Sequence, residues 1–344
     1  MTDATLTPAQ TAQKMFDLAL AKNKQRADIV FFKAFIAGVF LSFGGLLHII
    51  VSGGSAGLTS ANPGLVKLLG GVVFPIGLIM IVLQGQELLT SNMMTVPMLL
   101  VKRAAPWWSL PVNWLLVLFG NLTGSLFFAG VLVKGRSNTV AHMGNGLIKP
   151  ITASGVISAE PYPTYMRSFV LHKAMDPHWH QIFLRGIGCN WLVCVAVWQA
   201  MAATDVISKI IAIFIPIFTF VAAGFDHGTR LLVIWSTAQL THTHTWASLG
   251  NEMISVVANM FFIPLGIMMG ANMTVADYIK KSLIASFLGN VVGALFVVIP
   301  FMYFFNPQFE RESRDLEEQG SSSGSSSLVD RVISKRIDAS IRKE

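Results

Sequence analysis

The chain has 344 residues, of which 53% are hydrophobic and only 12% are charged, and its formal net charge is +7. Soluble domains carry roughly 25% charged residues, so this composition excludes an ordinary soluble protein and indicates an integral membrane protein. The positive charge follows the membrane topology described below and gives no reason to invoke a nucleic-acid partner.

The chain begins with a polar segment of 28 residues that lacks the apolar core of a cleavable signal peptide. Thr7 to Gln10 has the pattern of a capping box with proline at the first helical position, which predicts a short amphipathic helix. Six apolar stretches follow, near 29–54, 64–101, 108–133, 181–203, 206–227 and 280–305. A seventh stretch, 256–270, is too short to span a bilayer alone, since about 20 residues are needed.

These elements predict an all-α membrane protein with six transmembrane helices. Its regions are a cytoplasmic N-terminal amphipathic helix (1–28), a transmembrane domain (29–305) and a cytoplasmic tail (306–344). Gly and Ser make residues 320–327 of this tail flexible, and a short basic amphipathic helix is expected after them.

Basic residues set the predicted orientation. They precede the first span at Lys14, Lys22, Lys24 and Arg26, follow the second span at 102–103, and recur in the tail. The positive-inside rule places all of these regions in the cytoplasm, and an even number of spans agrees with both termini lying there. We expect the plasma membrane to be the location.

Two apolar stretches are interrupted by polar residues at equivalent points of two halves. The first interruption is 85–92, and the second is Asp226-His227. Such broken helices indicate a substrate site near the bilayer midplane, because freed backbone is tolerated there only around protein or a cavity. Glu87 and Asp226 lie at the two breaks, where we expect them to cap the half-helices.

A short internal repeat supports two inverted halves. Gly120-Asn121-Leu122-Thr123-Gly124 in the third span matches Gly289-Asn290-Val291-Val292-Gly293 in the sixth. Glycines four residues apart allow helices to pack closely.

Four segments, 85–91, 186–198, 223–227 and 258–267, resemble the signature segments of the formate/nitrite transporter family. The resemblance covers about residues 5–305 and suggests a eukaryotic, fungal-type member. It implies an aquaporin-like fold with broken helices two and five, and a homopentamer with one pore per protomer. The substrates implied are formate, nitrite and, in some members, lactate, moving with protons. No cofactor and no enzymatic activity are expected.

The resemblance also implies site residues. The implied substrate-pathway residues are His227, Thr90, Lys173, Asn190, Asn259 and Asn290. The implied constriction residues are Phe74, Leu78, Leu88, Val193 and Phe220. A lysine near the mouth attracts an anion and favours its protonation, while the apolar constriction excludes hydrated ions. His227 can bind the substrate or lend a proton, and Thr90 offers a rotatable hydroxyl.

Structural roles stand beside these functional ones. Thr90 can serve as a helix cap, Lys173 as an interfacial anchor, and His227 as a hydrogen-bonded packing residue. Two histidine pairs, at 178/180 and 242/244, lack the fixed partners of a metal site. The spacing of Cys189 and Cys194 suits neither a metal site nor a disulfide framework, which indicates core thiols.

The sequence departs from the family pattern at one place. After His227 the family continues almost directly into Val-Ala-Asn-Met, whereas here residues 228–255 intervene. From Thr90 to Asn121 is 31 positions, but from His227 to Asn290 is 63. We hypothesise that this 28-residue insert is an unspliced intron translated in frame; a genuine insertion or an isoform is the alternative.

Other functions are weighed against anion transport. The first is a neutral-solute aquaporin-like channel, but the paired Asn-Pro-Ala signatures are absent. The second is a transporter of lactate or other short-chain monocarboxylates within the same family. The third is an intramembrane enzyme, for which no His-Glu-x-x-His motif is present.

Overall fold

The computed structural model describes residues 5–134, 156–223 and 255–305. Within these ranges the structure is helical apart from one antiparallel bridge between Thr5 and Ala203. Six described helices are long and apolar enough to cross a membrane, namely Ala27–Gly54, Pro63–Leu83, Ser109–Val133, Trp179–Ala202, Val206–Ala223 and Val275–Phe305. The predicted all-α, six-span architecture is confirmed, and the protein is a multi-pass membrane protein.

The helices are numbered here in chain order. They are α1 Pro8–Asn23, α2 Ala27–Gly54, α3 Ala56–Ala61, α4 Pro63–Val73, α5 Ile76–Leu83, α6 Leu89–Val101, α7 Ser109–Phe127, α8 Tyr162–Val170, α9 Trp179–Ala202, α10 Val206–Ala223, α11 Val256–Met268, α12 Val275–Asp277 and α13 Ile284–Phe305. Three π-helical stretches extend or join them, at Phe128–Lys134, Leu171–Met175 and Tyr278–Leu283.

The capping box predicted at the start of α1 is present. The Gln10 N–H donates to Thr7 Oγ1 at 3.3 Å, and the Thr7 N–H donates to Gln10 Oε1 at 2.9 Å. The apolar face of α1 is buried through Met15, Phe16 and Ala19, because the helix packs against α6 and α9. The N-terminal helix is therefore part of the bundle.

The break in the second span is shorter than the sequence suggests. It covers 84–88, where Gly85 has a positive φ of 63° and Leu88 is extended. The positive φ is accessible to glycine at little cost, so the chain turns there and restarts as α6 at Leu89. Thr90, Ser91 and Asn92, expected in the break, lie instead in the first turn of α6.

The two half-helices α6 and α11 share one internal pattern. Each has 13 residues, with Asn at the fourth position, Met at the fifth and Pro at the ninth. A helix of that length extends about 20 Å, which is less than the hydrocarbon thickness of about 30 Å. Each half-helix therefore begins inside the bilayer.

Glycine packing joins the long helices in pairs, as the repeat predicts. α2 packs against α7, and α9 against α13. A methyl group added at Gly120 would lie 2.9 Å from the Phe31 carbonyl oxygen, and one at Gly293 would lie 3.1 Å from the Trp191 nitrogen. The half-helices link the two halves, since α6 also packs against α13 and α11 against α7.

Several predictions concern residues outside the described ranges. They include Asp226, His227, the insert up to residue 254, the tail 306–344 and residues 135–155 of the outer loop.

Candidate functional site

A narrow cavity of about 20 Å³, large enough for roughly one water molecule, lies where the two half-helices begin. It is lined by Leu41, Phe74, Leu78, Leu88, Thr90, Val193, Ile217, Phe220 and Ser255. The structure thus brings together all five residues of the implied constriction and Thr90, from α2, α4–α6, α9 and α10. Leu41, Ile217 and Ser255 were not anticipated.

The lining is apolar except for two hydroxyls. Thr90 and Ser255 lie at the N-terminal ends of α6 and α11, and neither side chain caps its helix. Phe74 and Phe220 meet edge-to-face across the cavity with ring centroids 6.2 Å apart. The cavity therefore combines a water-excluding wall with two rotatable hydroxyls beside two partially positive helix ends.

Two asparagines of the Gly-Asn repeat hold these helix ends. The Leu89 N–H donates to Asn121 Oδ1 at 2.9 Å, and the Val256 N–H donates to Asn290 Oδ1 at 2.9 Å. Asn121 Nδ2 donates to the carbonyls of Ala34 and Glu87. Long helices α7 and α13 thereby fix where the half-helices begin, which is why the same Gly-Asn pattern recurs in both halves.

The capping role expected of Glu87 is wrong. Its side chain makes no cap bond to α6, because Asn121 occupies that position. Glu87 Oε2 instead accepts hydrogen bonds from Lys22 Nζ at 2.9 Å and from Asn92 Nδ2 at 2.8 Å. Lys22 also donates to Asn92 Oδ1. This buried ion pair ties the C-terminal end of α1 to the break in the second span.

The three asparagines implied for the substrate pathway are buried but do not line the cavity. Asn190 Nδ2 donates to the carbonyls of Thr90 at 3.2 Å and Asn290 at 2.8 Å. Asn259 Nδ2 donates to Ser282 Oγ at 3.3 Å, and Asn290 Nδ2 donates to the Gly186 carbonyl. In this conformation they connect the helices around the cavity.

Lys173 lies in the π-helical turn Leu171–Met175, ahead of α9, and is only 1% exposed. Its ammonium group is 4.9 Å from the centre of the Phe169 ring and 4.7 Å from that of Phe262. Both distances suit cation–π interaction. The residue is thus held inside the protein, and the anchor interpretation does not fit this burial.

His48 on α2 is an intramembrane histidine that the sequence analysis overlooked. It is 6% exposed, and its ring packs edge-on against Phe74, Phe169 and Phe262 at centroid distances of 6.1–6.5 Å. Phe74 lines the cavity, and the other two rings contact Lys173. Its presence in a predicted span was the signal that would have singled it out.

His227 lies outside the described residues. The position that precedes α11 is occupied by Ser255, which lines the cavity. Elsewhere in the described part of the chain no group of three or more metal-ligating side chains occurs, and Cys189 and Cys194 are buried free thiols.

Comparison with known proteins identifies the family of this chain. The sequence model of the formate/nitrite transporter family matches residues 9–256 and 239–304. A probable formate transporter of Methanothermobacter thermautotrophicus is 34% identical over 312 residues, covering 87% of this chain and 96% of that protein. The chain belongs to the formate/nitrite transporter family.

Further similarities agree with this membership. The formate channel BtFdhC of Bacillus thuringiensis is 32% identical to this family member, covering 86% of this chain and 94% of BtFdhC. A pentameric formate channel with formate bound is structurally similar, with a TM-score of 0.59 and 26% identity over 81% of this chain and 97% of that one. As a formate/nitrite transporter family member, the protein is a membrane transporter or channel and not an enzyme.

Proposed function

We propose that this protein conducts small monovalent anions, with formate as the leading substrate and nitrite as a second, each accompanied by a proton. The observation that carries the proposal is the single cavity that collects Phe74, Leu78, Leu88, Val193, Phe220 and Thr90. Relatives named as formate transporters and channels support formate as the substrate.

The cost of dehydrating an anion supports its movement together with a proton. An anion that enters an apolar constriction loses water contacts, and this cost is large unless the charge is paired or neutralised. Lys173 contacts Phe262, whose ring stacks on that of the cavity-lining Phe74, and in this proposal it attracts the anion and favours its protonation. The neutral acid can then pass the Phe74–Phe220 pair, while Thr90 and Ser255 offer hydroxyl groups in the otherwise apolar cavity.

The proposed role of His227 depends on the insert 228–255. α11 begins at Val256, and the residue before it lines the cavity. If 228–255 were absent, His227 would precede Val256 directly and take the place of Ser255, opposite Thr90. We propose that the transport-competent chain has this form and that the insert is a retained intron. The two overlapping family matches, which meet within 239–256, support an interruption there.

Assembly and location complete the proposal. The pentameric state of the structurally similar formate channel supports a homopentamer with one pathway in each protomer. The distribution of basic residues supports an orientation with both termini in the cytoplasm. The plasma membrane is the location that we propose, and the six apolar helices contact its lipid bilayer.

Uptake into proteoliposomes tests the function. Formate, nitrite and lactate are supplied outside with the membrane potential clamped, using the full chain and the chain lacking Gly228 to Ser255. We expect formate or nitrite uptake to rise as the external pH falls from about 8 to about 5, since the protonated pathway is then favoured. A rate that does not change with external pH contradicts proton coupling. Faster lactate uptake favours the monocarboxylate alternative, and swelling with water or glycerol but no anion uptake favours the neutral-solute channel.

Sequencing the mature transcript tests the intron. A transcript that uniformly retains codons 228–255 contradicts it.

A further inference from the structure

We propose that His48 is a substrate-contacting residue of the outer part of the transport pathway. In this role it hydrogen-bonds the permeating anion or its conjugate acid between Lys173 and the cavity. The inference deepens the proposed anion transport and rests on it. It concerns a histidine on α2, separate from His227.

His48 lies near the outer end of α2, close to both Lys173 and the cavity. His48 is six residues from the end of α2 at Gly54, about 9 Å along the helix axis. Under the proposed orientation this end faces outward, on the same side as Lys173. The His48 ring packs against Phe74, which lines the cavity, and against Phe169 and Phe262, which both contact the Lys173 ammonium. The imidazole therefore lies between the cation and the cavity wall.

The His48 ring has an unused capacity for hydrogen bonding. His48 is more than nine-tenths buried, and Nδ1 faces the Gly70 backbone. Nδ1 lies close enough to this backbone for a weak hydrogen bond, whereas Nε2 has no hydrogen-bond partner among the described residues. A buried polar group without a hydrogen-bond partner costs about 1–3 kcal/mol. A ligand that hydrogen-bonds to Nε2 while it passes would offset this cost.

The His48 ring fits closely against Gly70 of α4. A methyl group added there would lie 2.7 Å from His48 Nδ1 and 2.8 Å from Cε1. The glycine of α4 therefore leaves the space that the imidazole occupies. This fit orients the ring and leaves Nε2 for a ligand.

The charged surroundings suit an anion. The elements packed around His48 present Gly70 from α4, Phe74 from the junction of α4 and α5, Phe169 from α8 and Phe262 from α11, none of which titrates. Lys173, from the turn before α9, contacts two of these rings with its ammonium group. Nε2 of a neutral imidazole is either a donor, which suits the carbonyl oxygen of formic acid or the nitroso oxygen of nitrous acid, or an acceptor, which suits the hydroxyl of either acid. Formate and nitrite themselves accept from the donor.

The test compares formate uptake by wild type, His48→Phe and His48→Gln, per assembled protein in proteoliposomes. Phe keeps the planar ring without its nitrogens, whereas Gln keeps a polar group at the distance of Nε2. We expect uptake to fall roughly 2- to 10-fold in His48→Phe, the equivalent of one net hydrogen bond, and to be largely retained in His48→Gln. His180→Phe, at an exposed histidine of α9, is the matched control and should transport normally.

The outcomes separate the two proposals. If neither parent chain, with or without 228–255, moves formate above empty vesicles, the proposed function fails and this inference with it. If the parent transports and His48→Phe does too, His48 is only a packing residue. Equal loss in the Phe and Gln variants with intact assembly likewise overturns hydrogen bonding as its role. Should His48→Phe not assemble, His48→Met provides an unbranched apolar side chain for the same comparison.

Discussion

At the scale of single residues, the polar groups around the cavity divide by what they contact. Thr90 and Ser255 present hydroxyls to the cavity itself. Asn190 and Asn290 hydrogen-bond backbone carbonyls in the surrounding helices. Residues of similar polarity in the same bundle therefore have different effects when they are changed, on throughput in the first group and on assembly in the second.

The Thr90 hydroxyl can be tested by Thr90→Val, which keeps the shape of the side chain. We expect anion uptake to fall about 2- to 10-fold with assembly intact, because a net hydrogen bond of about 0.5–1.5 kcal/mol is removed. The measurement is formate uptake per assembled protein. Thr95→Val is the control, since Thr95 is buried on the same helix but does not line the cavity. Normal transport by Thr90→Val would make Thr90 a packing residue.

Breaking the buried ion pair between Lys22 and Glu87 should destabilise the protein. Lys22→Met leaves the Glu87 carboxylate without its cation, and breaking a buried pair costs about 3–5 kcal/mol. We expect a lower thermal unfolding temperature in detergent, partly restored in Lys22→Met/Glu87→Gln because the remaining charge is then also removed. Lys24→Met, at an exposed lysine two residues after Lys22, should change little. Equal unfolding temperatures for Lys22→Met and Lys24→Met would show that the ion pair does not stabilise the bundle.

At the scale of elements, the two half-helices depend on neighbours to begin at the right depth. Their first residues, Leu89 and Val256, are fully buried at membrane depth, where an unsatisfied backbone group costs several kcal/mol. Asn121 from α7 and Asn290 from α13 each satisfy one such group. The broken spans are thus completed by the unbroken ones, and this explains the placement of Asn within each Gly-Asn repeat.

Asn121→Ala and Asn290→Ala should therefore destabilise the bundle to a similar degree. Each leaves buried partners unsatisfied, at about 1–3 kcal/mol for each group. Thermal unfolding in detergent measures the effect. Asn62→Ala removes an exposed cap of α4, which accepts from the Leu65 N–H, and should cost only about 1 kcal/mol. A loss from Asn62→Ala as large as from the two buried asparagines would contradict this account.

At the scale of the whole molecule, the residue immediately before α11 faces the cavity. Ser255 lies there in the full chain, and His227 is separated from α11 by the insert. Arg230 would cost roughly 2.5–3.5 kcal/mol if it were placed at the centre of a membrane helix.

We therefore expect the 344-residue chain to give low yield and slow transport, and deletion of Gly228 to Ser255 to raise uptake several-fold. The deletion is expected to put a titratable imidazole where Ser255 now stands, and it removes 28 residues between α10 and α11. Uptake of both forms is measured at matched surface amounts. Equal rates would identify the insert as a tolerated loop.

Much of the fold was determined by the sequence itself. Apolar runs of sufficient length give the six spans, because backbone polar groups in lipid must be satisfied within a helix. The polar breaks, the Gly-Asn repeat and the signature segments give the family and the residues Phe74, Leu78, Leu88, Val193 and Phe220, which the structure gathers around one cavity.

Only the tertiary structure decided which polar residue performs which task. Asn121, and not Glu87, caps α6, because the side chain that reaches Leu89 comes from a helix 32 residues away. Lys22 pairs with Glu87 across 65 positions, and His48 and Lys173 share two aromatic rings contributed by other elements. Such contacts depend on how helices cross, and local patterns of hydrophobicity and spacing do not encode that for an individual side chain.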